Sequence, residues 1–432
     1  MNATNWMQGF VRAALAPTVT MTMMLGSTQA MATDPLADLP FRLTGGTPNL
    51  DVRLRYEYLK LDSPLAAPIT RDAAHATTIR VRLGYTTAAW NGLDSQLEYE
   101  GLDTIGDDRY NSLSNGRSNY PAIPDAQVHE VNQVWLRYSG LPNTQIKYGR
   151  QRINLDNQRY IGGVAWRQDE QTFDAAYLTT TLIPRTTVQY AHLDRINSFR
   201  NFLISGRNTD QVDIDAHLIN SSTSVIGKKL NLTGYGYFLD FGTVPGAAVG
   251  RLMSNSQTLG LRAIGQVPAG ALTLGYSLEY AVQQDWRGST DRDHRYALAE
   301  ATVGWKKLKG LAGYEVLGGN GSTSFQTPLG TVHAFDGWAD QFLITPTEGL
   351  RRIYASFGAT VAKASLTAIF HDFAADAGPH FGNEADLLAS YPVLDNFTLF
   401  AKFAAYFADE FPVVAGQATN VQRGWLYAEY KF

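Results

Sequence analysis

The 432-residue sequence predicts an all-β protein, specifically a transmembrane, antiparallel, up-and-down β-barrel of 18 strands. Three observations support this fold class. Apolar and polar residues alternate in many separate windows, short and long connections alternate between those windows, and the last window is an amphipathic strand that ends in Phe432. Each observation is typical of barrels that cross a membrane with strands.

The alternation is clearest in residues 50–58, LDVRLRYEY, where charged residues occupy every second position. Windows 79–85, 272–280 and 397–403 repeat the pattern. The apolar face is nearly free of charge over about nine to eleven residues, which is the length of a tilted strand that crosses the hydrocarbon layer. The windows therefore predict membrane-spanning strands rather than a soluble sheet.

The windows number eighteen, and single-chain bacterial barrels have an even number of strands. Windows 228–240, 293–304 and 308–317 are weakly patterned, so sixteen strands remains an alternative. The predicted strands are 49–59, 78–89, 93–103, 128–139, 143–151, 171–181, 185–193, 210–219, 228–240, 256–267, 271–283, 293–304, 308–317, 350–360, 364–373, 384–391, 395–407 and 422–432.

Connections of about three residues alternate with long ones, as expected for tight periplasmic turns and long outer loops. This alternation, with an even number of strands, predicts that both chain termini lie on the periplasmic side. The short connections are 90–92, 140–142, 182–184, 268–270, 305–307, 361–363 and 392–394. The long connections are 60–77, 104–127, 152–170, 194–209, 241–255, 318–349 and 408–421.

Residues 1–32 resemble a secretory signal peptide. Arg12 is the only charge, an apolar stretch follows, and Ala30-Met31-Ala32 fits the cleavage pattern. The alternative is an anchor helix, which the short apolar run disfavours. We expect a periplasmic leader over 33–48 and the barrel over 49–432.

Composition restricts the function. Cysteine is absent, which excludes cysteine nucleophiles, cysteine-ligated metals and disulfides. The net charge of −4 argues against nucleic acid as a partner. Charged residues are only 18%, below the roughly 25% of soluble domains, as expected when one face of each strand meets lipid.

The closing strand places Phe432 and Tyr430 on its apolar face. A terminal Phe on such a strand resembles the assembly signal of outer-membrane proteins. We therefore expect the barrel assembly machinery, membrane lipid and lipopolysaccharide as partners.

Several segments are similar to the alginate export porin family: residues 130–138, 147–159, 166–174, 333–340 and 371–373, with the closing strand. The block GRQRINLDNQR is the most specific part, and the resemblance spans residues 50–432. It implies an outer-membrane barrel of a Gram-negative bacterium whose positively charged lumen passes an acidic polysaccharide. A passive channel of this kind needs no cofactor, and periplasmic secretion partners are a further expectation.

If the apolar faces meet lipid, the opposite faces line the lumen. The predicted substrate-binding ladder and constriction comprise Arg53, Arg55, Arg80, Arg82, Arg137, Lys147, Arg150, Arg152, Arg159, Arg167, Arg352 and Arg423. The predicted acidic wall opposite comprises Asp174, Asp213, Asp215, Glu279 and Glu300. Guanidinium groups suit carboxylates of acidic sugars, and a charged, low-dielectric wall enriches anions.

Two structural alternatives stay open. The lumen charges could pair with one another and brace the barrel. Residues 150–170 are predicted to fold into the mouth as the constriction, but they could instead pack on the rim. Inward aromatic residues such as Trp135 and Trp425 could stack on sugars or simply fill space.

The sequence thus predicts a porin giving passive, anion-favouring passage to acidic polysaccharide or oligosaccharide such as alginate. The alternative is a less selective porin for other small solutes. An outer-membrane hydrolase using His371 with Ser365 or Ser390 is remote, since no spacing fixes a triad. Asp103, Asp107 and Asp108 could bind Ca²⁺ in an outer loop, although a solvated loop is the simpler expectation. No metal site is predicted.

Overall fold

The computed structural model describes residues 45–62, 72–198, 211–241, 252–288, 292–409 and 419–432. The predicted signal peptide and most of the predicted leader lie outside these ranges, and the first strand begins at Thr47. No helix within the described ranges has the length and apolar character needed to cross a membrane.

The described chain forms a closed barrel of eighteen antiparallel strands. Each strand pairs with its neighbours in sequence, and β1 also pairs with β18. The strands are β1 Thr47–Asp62, β2 Ala74–Thr86, β3 Leu93–Arg109, β4 Val128–Leu141, β5 Thr144–Gln151, β6 Thr172–Thr180, β7 Thr186–Asn197, β8 Gln211–Ile226, β9 Leu230–Phe241, β10 Ser256–Ala269, β11 Leu272–Gln284, β12 Asp293–Trp305, β13 Leu308–Leu317, β14 Leu350–Val361, β15 Ala364–Ala374, β16 His380–Leu394, β17 Phe397–Ala408 and β18 Asn420–Lys431. Two short 3₁₀ turns cover Gly227–Lys229 and Val332–Ala334.

The predicted fold class is confirmed, and the three weakly patterned windows all form strands, so the number is eighteen and not sixteen. Two strands extend well beyond their predicted ends. Strand β3 continues to Arg109, and β8 continues to Ile226 through a run of Ser and Thr. That polar run looks like a loop in sequence, but its hydroxyls bond across strands, as between Thr186 and Thr223 at 3.0 Å.

The barrel closes where its first strand, β1, pairs with its last strand, β18. The backbone N–H of Leu50 donates to the carbonyl of Phe432 at 3.0 Å, and the N–H of Phe432 donates back at 2.8 Å. Arg53 lies opposite Glu429 in this register. The C-terminal residue is therefore part of the seam, and its side chain is 71% exposed on the outer surface.

Side-chain alternation separates two surfaces along each strand. In β11, Leu278 and Tyr280 are exposed on the outside, while Glu279 and Ala281 between them are buried inside. Because strands turn successive side chains to opposite faces, apolar residues form the lipid-facing belt and polar residues line the lumen.

Short connections at one end of the barrel join each even-numbered strand to the next strand, from β2–β3 to β16–β17. Asn91 and Gly92 in the first of these both have positive φ, of 49° and 82°. Asn and Gly adopt this left-handed conformation readily, and it matches the twist of paired strands. The opposite end carries the long connections.

The outer half of the lumen contains an apolar cluster formed by long connections. Tyr160 packs against Tyr235 of β9, Tyr296 of β12 and Phe325 of the β13–β14 connection, with ring centroids 5.2, 5.6 and 6.0 Å away. This cluster fixes outer connections inside the barrel, next to the charged inner wall.

Candidate functional site in the barrel lumen

Two connections, which we call the inner loops, fold into the lumen: residues 152–171 between β5 and β6, and residues 318–349 between β13 and β14. They bind each other directly. The N–H of Thr331 donates to the carbonyl of Gln158 at 2.8 Å, and the N–H of Gly162 donates to the carbonyl of Leu329 at 2.9 Å. The segment 150–170 therefore lies inside the barrel and not on its rim.

Arg53, Arg55, Arg80 and Arg82 project inward from β1 and β2, where strand alternation places them on one wall. All four side chains are nearly fully buried. The Nη1 group of Arg53 donates to the carbonyls of Ala165, Trp166 and Arg167 at 3.2, 3.2 and 2.9 Å. Arg55 also donates to the Trp166 carbonyl. The first inner loop is thus held to the wall by arginines that the sequence predicts to bind substrate.

Most of the predicted ladder is paired with carboxylates of the protein itself. The pairs are Arg53 with Glu429, Arg55 with Glu57, Arg80 with Asp51, Arg82 with Glu100 and Glu170, Arg137 with Asp94, Arg150 with Asp174, Arg152 with Glu98 and Glu170, Arg159 with Asp336 and Glu315, Arg167 with Glu57 and Asp340, Arg352 with Glu315, and Arg423 with Asp340. Within the described residues, Lys147 has no carboxylate at ion-pair distance. Many of these arginines therefore pair with carboxylates of the protein, as expected if the lumen charges brace the barrel.

A charged cluster, which we call the latch, attaches the inner loops to the barrel wall. It consists of Asp340, His333, Arg167, Arg423 and Lys402. Asp340 accepts from Arg423 at 2.7 Å, from Arg167 at 3.4 Å and from His333 Nδ1 at 2.6 Å. His333 Nε2 contacts the Lys402 ammonium at 2.5 Å. The latch joins both inner loops to β17 and β18.

Aromatic rings enclose the same cluster. The His333 ring stacks on Trp166 with centroids 3.4 Å apart. Lys402 lies over Trp338 and Trp425 at 3.9 and 4.9 Å. Trp425 therefore faces inward, as expected, but it packs around a protein cation and is only 2% exposed.

Electrostatics fix the protonation of the latch. Burial, reinforced by Lys402, lowers the pKa of His333 to about 3, so its imidazole is neutral near pH 7. Burial raises the pKa of Asp340, but His333, Arg423 and Arg167 more than offset this and hold the pKa below its ordinary range. A neutral imidazole donates through Nδ1 to the Asp340 carboxylate and accepts through Nε2 from Lys402.

A second bond between the inner loops is fully buried. Arg159 binds both carboxylate oxygens of Asp336, at 2.9 and 3.0 Å, and also binds Glu315 of β13 at 3.0 Å. Sequence reasoning proposed Arg159 but missed Asp336. The available signal was an acidic, aromatic-rich block within a long connection, at residues 333–340.

Solvent reaches a different set of basic groups, on β4 and β5. Trp135, Arg137 and Lys147 project inward here, and the Arg137 side chain is 32% exposed. Lys147 Nζ and Arg137 Cζ lie 4.5 and 5.4 Å from the Trp135 ring. Arg152, at the start of the first inner loop, is 30% exposed although it binds Glu98 and Glu170. We call Arg137, Lys147 and Arg152, together with the buried Trp135 ring beneath them, the accessible wall.

Four predicted lumen residues face outward instead. Arg150, Asp174 and Asp213 form one cross-strand row with Val134, which is 49% exposed, and paired residues share a face. Asp215 shares their outer face, because the alternate residues of β8 are buried inside. The expectation of an acidic lumen wall is therefore wrong for Asp174, Asp213 and Asp215, and Arg150 is not part of a lumen ladder.

The physical reason is the apolar filling of the outer lumen. Ile214, Ala216 and Leu218 turn inward and pack in the inner apolar core, so the outward positions of β8 carry the charges above the lipid belt. Glu279 and Glu300 do face inward, and they accept from Tyr235 and Tyr354. The inward acidic groups are thus dispersed rather than arranged as one wall.

The residues considered for hydrolysis are not brought together. Ser365 and Ser390 pair with each other, six residues along β15 from His371. Six strand residues span about 20 Å. His371 instead contacts Asp386 at 3.2 Å. Asp103, Asp107 and Asp108 lie on β3, not in a loop, and pair with His129, Arg109 and Arg117.

Comparison with known proteins agrees with this architecture. A model of the family described as "Alginate export" matches residues 50–336, more than half of the chain. No curated protein sequence matches significantly.

Solved structures with the same fold include OccK9 (OpdG) of Pseudomonas aeruginosa, with a TM-score of 0.67 and 14% identity, covering 90% of this chain and 99% of that one. OccAB2 of Acinetobacter baumannii gives 0.67 and 16%, covering 89% and 98%. OpdK of P. aeruginosa with vanillate gives 0.64 and 12%, covering 89% and 98%. The chain belongs to the alginate export family, as a porin-like β-barrel of the Gram-negative outer membrane.

Proposed function

We propose that this barrel gives passive, anion-favouring passage to acidic saccharides of the alginate class. The carrying observation is the accessible wall, where two cations flank the Trp135 ring and one of them, Lys147, has no carboxylate partner within the described residues. A uronate sugar presents an apolar ring face and a carboxylate. The partly exposed guanidinium groups and the Lys147 ammonium complement the carboxylate, while the Trp135 ring, which is only 8% exposed, lies beneath these cations and supports their position.

The accessible wall is suited to transfer rather than tight retention. Arg137 and Arg152 are shared with protein carboxylates, and they lie within electrostatic range of Lys147. A carboxylate of the solute competes with these internal partners at each step. Weak binding at several neighbouring groups lets a solute enter and leave, as transport requires.

The alternative is a less selective porin for other small solutes. The inner loops support it, since two long connections are fixed inside the lumen by the latch and by the Arg159–Asp336 pair. A long polymer needs more free cross-section than a monomer. The OpdK structure, which has a similar fold, was solved with a small molecule, vanillate.

Planar bilayers containing the purified barrel test the proposal. A salt gradient is expected to give a reversal potential of anion-preferring sign, and oligomannuronate is expected to block current where a neutral oligosaccharide of equal length does not. Block by monomeric uronate but not by oligomers would favour the small-solute alternative. Cation selectivity together with no response to uronates would contradict the proposal.

A further inference from the structure

The outer wall of the barrel carries two histidines and a carboxylate in one cluster. His192 of β7 lies directly opposite His217 of β8, and their ring centroids are 4.9 Å apart. His192 Nε2 is 3.1 Å from Asp215 Oδ1, and His217 Nε2 is 3.7 Å from the same oxygen. One potential ligand atom from each residue lies within 4.8 Å of the others.

The remaining nitrogen of each ring has its own partner. His192 Nδ1 is 3.6 Å from the Asp194 carboxylate, and His217 Nδ1 is 2.8 Å from the Tyr190 hydroxyl. The contact at His217 is a hydrogen bond, whereas Asp194 attracts the Nδ1 side of His192 by its charge. Metal-binding histidines commonly have a partner at one nitrogen, because it orients the ring and leaves the other nitrogen free to bind. The unused oxygen of Asp215 contacts Arg287 at 2.9 Å.

These distances match the needs of a tetrahedral ion. Ligands at about 2.0–2.1 Å from zinc lie about 3.3 Å from one another, close to the two separations measured to Asp215 Oδ1. All three side chains are partly exposed, so water or an external group can complete the coordination. Two imidazoles with one carboxylate suit zinc and its neighbours rather than calcium or magnesium.

Other outward histidines make a useful contrast. His129 contacts one carboxylate, of Asp103 at 3.4 Å, and the Tyr99 hydroxyl. His380 lies between Asp372 and Asp409. Among the described residues, the cluster on β7 and β8 is the one in which two histidines and a carboxylate converge.

We propose that His192, His217 and Asp215 form a site for one divalent transition-metal ion of the zinc class, on the outer wall of the barrel above its apolar belt. The metal replaces the contact between His192 Nε2 and Asp215. Asp194 and Tyr190 are positioning residues that orient the two rings. The site is on the opposite face from the lumen, so it is independent of the transport proposal.

Tag-free protein in detergent, titrated with Zn²⁺ by calorimetry, tests the site. We expect one equivalent to bind, a loss of at least tenfold in affinity for His217→Gln and for Asp215→Asn, and no change for the control His129→Gln. Asp194→Asn is expected to weaken binding about tenfold through ring orientation. Binding that His217→Gln leaves intact would overturn the proposal, as would no binding by the folded wild type.

A second measurement does not depend on variants. Substoichiometric Cu²⁺ added to wild-type protein is expected to give an electron paramagnetic resonance spectrum with coupling to two imidazole nitrogens. Coupling to a single nitrogen would place the ion elsewhere and overturn the assignment.

Discussion

The latch and the accessible wall use the same kinds of residue for different purposes. In the latch, Arg167 and Arg423 are buried and share the carboxylate of Asp340. In the accessible wall, Arg137 is partly exposed and Lys147 has no carboxylate partner within the described residues. A cation already satisfied in a dry site is unavailable to a solute, whereas one in contact with water can exchange partners. Charge alone therefore does not distinguish the two regions, whereas charge together with access does.

The largest expected effect comes from breaking the latch. Asp340→Ala removes the carboxylate that Arg167, Arg423 and His333 contact, while both arginines keep Glu57 at 3.2 and 3.7 Å. Removing one partner of a buried ion pair costs up to about 3–5 kcal/mol. We expect a lower urea midpoint for unfolding in lipid vesicles and larger current fluctuations, because both inner loops lose an anchor. Asp62→Ala is the matched control, since Asp62 forms an exposed pair with Lys60. Equal effects of the two substitutions would contradict a structural latch.

The pH dependence of stability tests whether the His333 ring is buried in its neutral form. Its pKa is lowered from 6.5 to about 3, so between these values the unfolded chain binds a proton that the folded chain does not. The free energy of unfolding is therefore expected to fall as pH decreases through this window, by up to about 1.4 kcal/mol per pH unit from this group. His333→Gln retains an amide donor and acceptor and is expected to flatten the slope. An unchanged slope in His333→Gln would show that the ring is not buried neutral.

The accessible wall is expected to show the opposite behaviour, with a change in conduction and little change in stability. Lys147→Ala is expected to weaken block by oligomannuronate about tenfold, equivalent to about 1.4 kcal/mol, and to reduce the preference for anions. Its unfolding midpoint is expected to stay near wild type. Lys363→Ala, at the exposed short turn between β14 and β15, is the control. If Lys147→Ala and Lys363→Ala conduct alike, Lys147 is not in the path.

The sequence was sufficient for the order of the strands and for the lumen face of β1–β4, since a period of two specifies both, but it did not predict the full length of β3 and β8. It did not reveal the latch. Asp340 is 173 residues from Arg167 and 83 from Arg423, and no local pattern pairs such distant positions. It also misplaced the outer half of β8, because the rule that polar residues face the lumen holds only where the outside is lipid and the inside is water. In the outer half of β8, the inward side chains contact apolar loops and the outward side chains meet solvent. The apolar side chains therefore face inward and the polar ones outward, while the alternation itself is unchanged.

The smallest expected effect tests that reversal. Asp213 pairs with Arg195 at 3.0 Å, but its side chain is 82% exposed on the outer surface. Exposed pairs contribute about 0–1 kcal/mol, so Asp213→Asn is expected to leave the unfolding midpoint nearly unchanged. Because the side chain lies outside the lumen, the reversal potential in a salt gradient is also expected to match wild type, whereas Glu300→Gln, an inward carboxylate, is expected to shift it toward anions. If Asp213→Asn shifted the reversal potential as much as Glu300→Gln, Asp213 would face the lumen. That result would contradict the outward assignment of this residue on β8.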